Sequence, residues 1–381
     1  MLACAGTAGA QTTLAGGTSA TPPPKLRSIA CQTLCAGTTT ARAGSVVLVK
    51  GRNLETVTSV TLLGRRKAGD ETVAAPQGVS ATSLSLEIPS GARSGRLMAT
   101  TAEGAESRRS RQPLRVERVV TRKVGGNGGP GLEIGVTGRK VFFGADRRPT
   151  LTYTVEDSEP VRVVVEVIRS ADGVAVAGYD QGVVAPGEPR TQSWDGFIAG
   201  DVAGDGRYEF RVVAQDSAGV MATSAQAAPP EGAAPPSPDS FMFLGHKFPV
   251  RGNHDYGEFA ASFGGGRGHQ GQDVFARCGT PLAAARGGVV RFKQFHSRAG
   301  HYVVIDGEET DFDYVYMHMR QAALVDKGDR VQTGQVIGRV GDTGRAHGCH
   351  LHFELWSGPG WYTGGSPFDP LALLRAWDEY S

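Results

Sequence analysis

The sequence predicts a mostly β protein, with two β-sandwiches ahead of a C-terminal domain that carries the chemistry. Three observations predict it. Short apolar or alternating runs recur roughly every 8–12 residues between turn residues. Glycine is frequent (54 of 381 residues) and aromatics are few (7%), which suits short strands and tight turns over long helices. All nine histidines fall at or beyond position 246, and histidine is the commonest metal ligand and proton shuttle near neutral pH.

Composition narrows the function classes. At roughly 100–200 residues per domain the length allows two or three domains. Apolar residues make up 40% and charged residues 20%, enough to build cores. Lys and Arg number 40 against 38 Asp and Glu, which argues against a dedicated nucleic-acid binder. No apolar run reaches the roughly 18 residues of a membrane-spanning helix.

The elements follow in chain order. Ala8-Gly9-Ala10 before Gln11 has the small-x-small form of a signal-peptidase site. Gln11 to Lys25 is small, polar and proline-rich, as flexible tethers are. Residues 1–25 therefore read as a residual signal segment and tether, and the chain as secreted, its signal peptide truncated. Cleavage after Ala10 would remove Cys4 and leave Cys31, Cys35, Cys278 and Cys349, an even number that fits an oxidising compartment. Cys31 with Cys35 and Cys278 with Cys349 are the expected pairs, with free buried thiols as the alternative.

Residues 26–116 read as the first β-sandwich, with strands at Ser45–Val49, Val60–Leu63 and Leu84–Ile88. Residues 117–225 read as the second, with strands at Leu151–Val155 and Val161–Ile168 and with Tyr208, Phe210 and Val212 on one strand face. Trp194 is expected in its core, not on a sugar-stacking surface. Residues 226–240 (QAAPPEGAAPPSPDS) read as a linker. Residues 241–381 form the last domain.

Four segments of that domain carry chemistry. Gly268-His269-Gln270-Gly271-Gln272-Asp273 places a histidine and a carboxylate four apart with glycine between, so the chain can bend both onto one ion. In Cys349-His350-Leu351-His352-Phe353-Glu354-Leu355, period two puts His350, His352 and Glu354 on one strand face and the apolar residues on the other. Two imidazoles on one rigid strand suit a metal centre. In Tyr314–Met319, the same period puts Tyr314, Tyr316 and His318 on one face, with Val315, Met317 and Met319 behind. Lys327–Gly344 is a run of glycine-bounded short strands. His246, His254, His296, His301 and His347 have no matched role and read as surface residues.

Three resemblances follow. The segment from Ala41 to Gly64, with Ser83 to Gly104, resembles the TIG/IPT immunoglobulin-like family. WDG…DGRYEFRVVAQDSAG resembles the FlgD-type Ig-like module. The ordered set H-x-x-x-D, Y-x-H, G-x-x-x-G-x-V-G-x-T-G and H-x-H, from Phe263 to Trp356, resembles the lysostaphin/LytM-type zinc endopeptidases. That last resemblance implies an antiparallel β-sheet domain with its site in a groove. It implies zinc (Zn2+) held by His269, Asp273 and His352, with His318 and His350 as catalytic histidines. Tyr316 is a candidate substrate contact, and a Cys278–Cys349 bond would tie together the ligand-bearing segments. The implied function is a secreted zinc metalloendopeptidase that hydrolyses peptide bonds in bacterial peptidoglycan, in stem or cross-bridge. Its partners would be peptidoglycan peptides, with no nucleic acid and no membrane span. A catalytically silent LytM-like cell-wall-binding or hydrolase-activator protein is the alternative from another class. An adhesion protein built on the sandwiches is the third reading.

Overall fold

Strands carry most of the ordered backbone, because the apolar pattern has period two nearly throughout. The computed structural model describes residues 22–33, 35, 39–64, 69–89, 91–117, 121–126, 128–224, 239–266 and 268–381. The expected signal segment and nearly all of the expected linker lie outside them. Among the described residues Leu371–Tyr380 is the one α-helix, and no helix is long and apolar enough to cross a membrane.

The first sandwich has two sheets. Lys25–Thr33, Val46–Arg52, Ser83–Glu87 and Pro76–Gln77 form one; Thr72–Ala74, Val57–Leu62 and Leu97–Thr101 form the other. Alternate residues such as Val47, Val49, Val60, Leu62, Leu84 and Leu86 are fully buried between them. A disulfide joins Cys31 to Cys35.

The second sandwich pairs Thr121–Gly125, Gly131–Thr137, Thr150–Glu156 and Arg190–Ser193 against a larger sheet around Val161–Arg169 and Gly206–Gln215. Trp194 is its centre. It is fully buried, packs on Tyr208, Phe241 and Phe243, and donates its indole N–H to the Phe197 carbonyl. The structure departs here from a last domain that begins at 241. Ser240–Leu244 pairs antiparallel with Gly206–Gln215 and parallel with Lys140–Phe142, so the first strand after the proline-rich stretch belongs to the second sandwich. Phe241 and Phe243 supply the reason, since their buried rings complete its core.

That strand leads directly into the C-terminal region, and the two bodies are packed together. The Arg286 guanidinium lies over the Phe143 ring at 4.2 Å and donates to the Gly245 carbonyl. Lys247 lies over Phe142, and the Tyr380 hydroxyl donates to Asp205.

The C-terminal sheet is antiparallel, in the order His254–Tyr256, Gln272–Ala276, His350–Ser357, Phe312–Met319, Gly300–Gly307, Gly288–His296 and Arg330–Val331. One face buries Val274, Val303, Ile305, Leu351, Phe353 and Leu355 beneath the helix residues Leu374 and Trp377. The helix starts where the Asp369 carboxylate accepts the Leu371 N–H at 2.9 Å, a side-chain cap for a donor the helix cannot satisfy itself. Two histidines expected at the surface are instead packed there. His246 stacks on Trp377 with ring centroids 4.5 Å apart and bonds the Tyr314 hydroxyl. His254 packs on Phe248 and bonds Asp378.

Candidate metal centre

The other face of the same sheet carries the site. Asp273 and His352 are directly opposite one another on adjacent strands, and His352 is opposite Met317 on the next. The alternation of His350, His352 and Glu354 with Leu351, Phe353 and Leu355 therefore aims the first three away from the core. His269 arrives from the preceding loop. Gly271 permits this, because a Cβ there would come within 2.4 Å of the Phe353 carbonyl and 2.9 Å of His352 Nε2.

His318 reaches the site by a local irregularity. Val303 pairs with Tyr316 and His301 with Met319, so Met317 and His318 together face Tyr302 alone. This is a β-bulge. His318 takes a left-handed φ of 59°, and its N–H donates to the Ala299 carbonyl. The extra residue swings His318 onto the Met317 side, where both line the groove.

The expectation that Tyr316 shares a face with His318 and meets substrate is thereby corrected. Tyr316 is fully buried in the opposite core, and its hydroxyl accepts the Ala285 N–H at 2.7 Å. Burial pushes its phenol well above the usual range.

The remaining groups converge. One ligand atom each from His269, Asp273 and His352 lies within 4.8 Å of the others. Around Asp273 Oδ1 stand His352 Nδ1 at 2.9 Å, His269 Nε2 at 3.2 Å and His350 Nε2 at 3.6 Å. The His318 ring lies 4.8 Å from His350 and 5.9 Å from His352, centroid to centroid.

Each histidine has its outward nitrogen tied to an acceptor. His269 Nδ1 faces the Ser262 carbonyl at 3.0 Å, His318 Nδ1 that of Thr343 at 2.8 Å and His350 Nδ1 that of Gly348 at 2.9 Å. His352 Nε2 faces Glu354 Oε1 at 2.9 Å. A carbonyl or carboxylate can only accept, so these outward nitrogens carry the protons. The inward nitrogens of three of the imidazoles, His269, His350 and His352, then present lone pairs toward the Asp273 carboxylate. Lone pairs brought together in this way need positive charge among them, a proton or a cation. Two histidines and an aspartate are the N/O donor set zinc takes, so the residues present fit the ion.

The electrostatics agree. Burial favours the protonated Asp273, but hydrogen bonds from His269 and His352 outweigh it and hold the carboxyl far below its usual range. Burial also opposes charge on His352, yet Asp273 and Glu354 raise it to about 9. In the metal-free chain this ring holds a proton, which a metal must displace. Burial pushes His318 down to about 4 against the pull of the Thr343 carbonyl, so it is a neutral acceptor at pH 7.

Glu354 had no role assigned from sequence. It is buried, and its second oxygen accepts the indole N–H groups of Trp356 at 2.7 Å and Trp361 at 3.2 Å. Its signal was present, two residues after His352 on the same strand face. A groove of about 770 Å³ surrounds the site, walled also by Tyr302, Trp361, Tyr362, Arg298, Arg345 and His347. Nothing in the local sequence marks these residues. A disulfide joins Cys278 to Cys349, beside the Asp273 and His350 strands.

A β-sheet groove with a His2Asp set and two further histidines defines a metallopeptidase-like site. Residues 267–370 match Peptidase family M23, and the chain carries an M23 peptidase domain at its C-terminal end. It is 44% identical over 87 residues to the peptidoglycan DD-endopeptidase ShyC of Vibrio cholerae, covering 23% of this chain and 20% of that protein. It is 33% identical over 152 residues to the L-Ala--D-Glu endopeptidase of Bacillus subtilis, covering 35% of this chain and 44% of that protein. The chain thus spans less than half the length of these curated relatives. The catalytic domain of lysostaphin from Staphylococcus simulans is a similar solved structure, at 27% identity and TM-score 0.29, covering 32% of this chain and 92% of that one.

Proposed function

We propose that the chain is an extracytoplasmic zinc metalloendopeptidase acting on peptide bonds of bacterial peptidoglycan. The observation that carries this reading is the inward convergence of the His269, His350 and His352 imidazoles on Asp273, each fixed by an acceptor behind its ring. The M23 match and the named activities of the similar endopeptidases support the substrate. Two disulfides fit an oxidising compartment.

In this reading His269, Asp273 and His352 hold the metal. Bound there, zinc supplies Lewis acidity toward a carbonyl oxygen and toward water. Glu354 keeps the His352 proton on Nε2, so that Nδ1 stays free to ligate. His318 and His350 turn their Nε2 atoms into the groove, placed to accept a proton from the nucleophile and to donate one to the leaving amine or the developing oxyanion. Thr343 and Gly348 carbonyls fix both tautomers.

The test combines zinc content with dye release from labelled peptidoglycan. The expected result is one zinc per chain, with release that His350→Ala abolishes while zinc is retained. A zinc-loaded chain that releases nothing from several wall chemotypes would overturn it in favour of a silent wall-binding protein.

A further inference from the structure

The groove wall beside His318 carries two arginines that the proposed mechanism does not use. Arg298 lies in the turn between Gly288–His296 and Gly300–Gly307; Arg345 lies in the loop leading to Cys349. The two loops are clamped together. The Arg345 N–H donates to the Arg298 carbonyl at 2.8 Å. The Thr343 hydroxyl accepts the His301 N–H at 3.0 Å and donates to the Met319 carbonyl at 2.6 Å, while the Thr343 carbonyl holds His318. Gly344 lies so close that a Cβ would come within 2.2 Å of the Gly300 nitrogen. Both arginines are thus fixed by their backbones next to a histidine proposed to be catalytic.

Both side chains are exposed, and both line the groove. Among the described residues no carboxylate forms an ion pair with either. Asp342, three positions before Arg345, has its carboxylate within 4.8 Å of the Cys278 and Cys349 sulfurs instead. Asp273 and Glu354 are engaged by His352 and the indoles. Two arginines on loops joined by their backbones, both lining the groove and without counter-charge, make a local positive potential there. A planar carboxylate, the anion a peptide carries, is one their fork geometry pairs with bidentately.

Building on the peptidase reading, we propose that Arg298 and Arg345 form a subsite for a free carboxylate of the peptide substrate. Peptides with a carboxylate flanking the scissile bond are then the preferred substrates, and peptides neutral at that place are poor ones.

The experiment uses the zinc-loaded full chain and two synthetic cross-linked wall peptides. They are identical except for a free carboxylate or a carboxamide beside the scissile bond. A charged hydrogen-bonded pair predicts a kcat/KM preference for the acid of about tenfold or more. The preference falls toward unity in the Arg298→Gln/Arg345→Gln double variant, with zinc content and melting temperature unchanged. Cleavage of both peptides at equal kcat/KM, or a preference that survives in the double variant, overturns the subsite and leaves the peptidase reading standing. Cleavage of neither peptide counts against the peptidase reading. Titration of the same fluorescently labelled pair then judges the subsite by affinity, and equal Kd values for acid and amide overturn it.

Discussion

Replacing Glu354 by glutamine is nearly isosteric, yet it unbalances a buried set of hydrogen bonds. Three donors point at this carboxylate: His352 Nε2–H at 2.9 Å, Trp356 Nε1–H at 2.7 Å and Trp361 Nε1–H at 3.2 Å. Two carboxylate oxygens satisfy them; a glutamine offers one oxygen and adds two donors. If its oxygen faces the indoles, its amide faces His352 and drives the imidazole proton onto Nδ1, the nitrogen aimed at Asp273. If the oxygen faces His352, both indole donors meet an NH2 group. A buried unsatisfied donor costs about 1–3 kcal/mol, and loss of an outer-shell partner costs about 10–100-fold in metal affinity. Competition with a chromophoric zinc chelator, alongside urea unfolding of the metal-free chain, reads both terms. The expected outcome is zinc affinity reduced at least tenfold, or a metal-free chain destabilised by about 1–3 kcal/mol. Affinity within twofold of the parent together with unchanged stability would refute the role given to Glu354.

Two further predictions follow from burial. Tyr316→Phe leaves the buried Ala285 N–H without its acceptor and should cost about 1–3 kcal/mol in urea unfolding with zinc affinity unchanged; a raised KM at full stability would return Tyr316 to the groove. Burial lowers His246 to about 3, so on acidification the unfolded chain takes up this proton first, near its ordinary value of about 6.5. The stability involved is complete above that pH and is lost progressively down to about pH 3, at a limiting slope of roughly 1.4 kcal/mol per pH unit. His246→Gln should flatten that part of the stability profile, and an unchanged slope would show that the stacked imidazole is not its source.

Legibility from the sequence followed how local each determinant was. The His350–Leu355 alternation is a property of one strand, and its faces read directly. The H-x-x-x-D spacing with Gly271 also needed only the chain around it. The direction of His318 did not, because its reversal depends on a bulge set by pairing with Gly300–Gly307. Period two carried through Tyr314–Met319 therefore put Tyr316 on the wrong side. The membership of Ser240–Leu244 rested on partners about 100 residues earlier, at Lys140–Phe142, which no window around a proline-rich stretch contains. Arg298 and Arg345 are 47 positions apart, and only the folded hairpin turn makes them neighbours.

The placement of Ser240–Leu244 bears on how the C-terminal region can be separated from the rest. The strands on both sides of residues 225–238, Met221–Thr223 and Ser240–Leu244, pair with the same strand, Gly206–Gln215. Proteolytic nicking inside that stretch would therefore leave the halves clasped. A recombinant fragment beginning at 241 would carry off two phenylalanines from someone else's interior and display them to solvent, inviting aggregation. A cut just after Leu244 would leave both hydrophobic interiors whole.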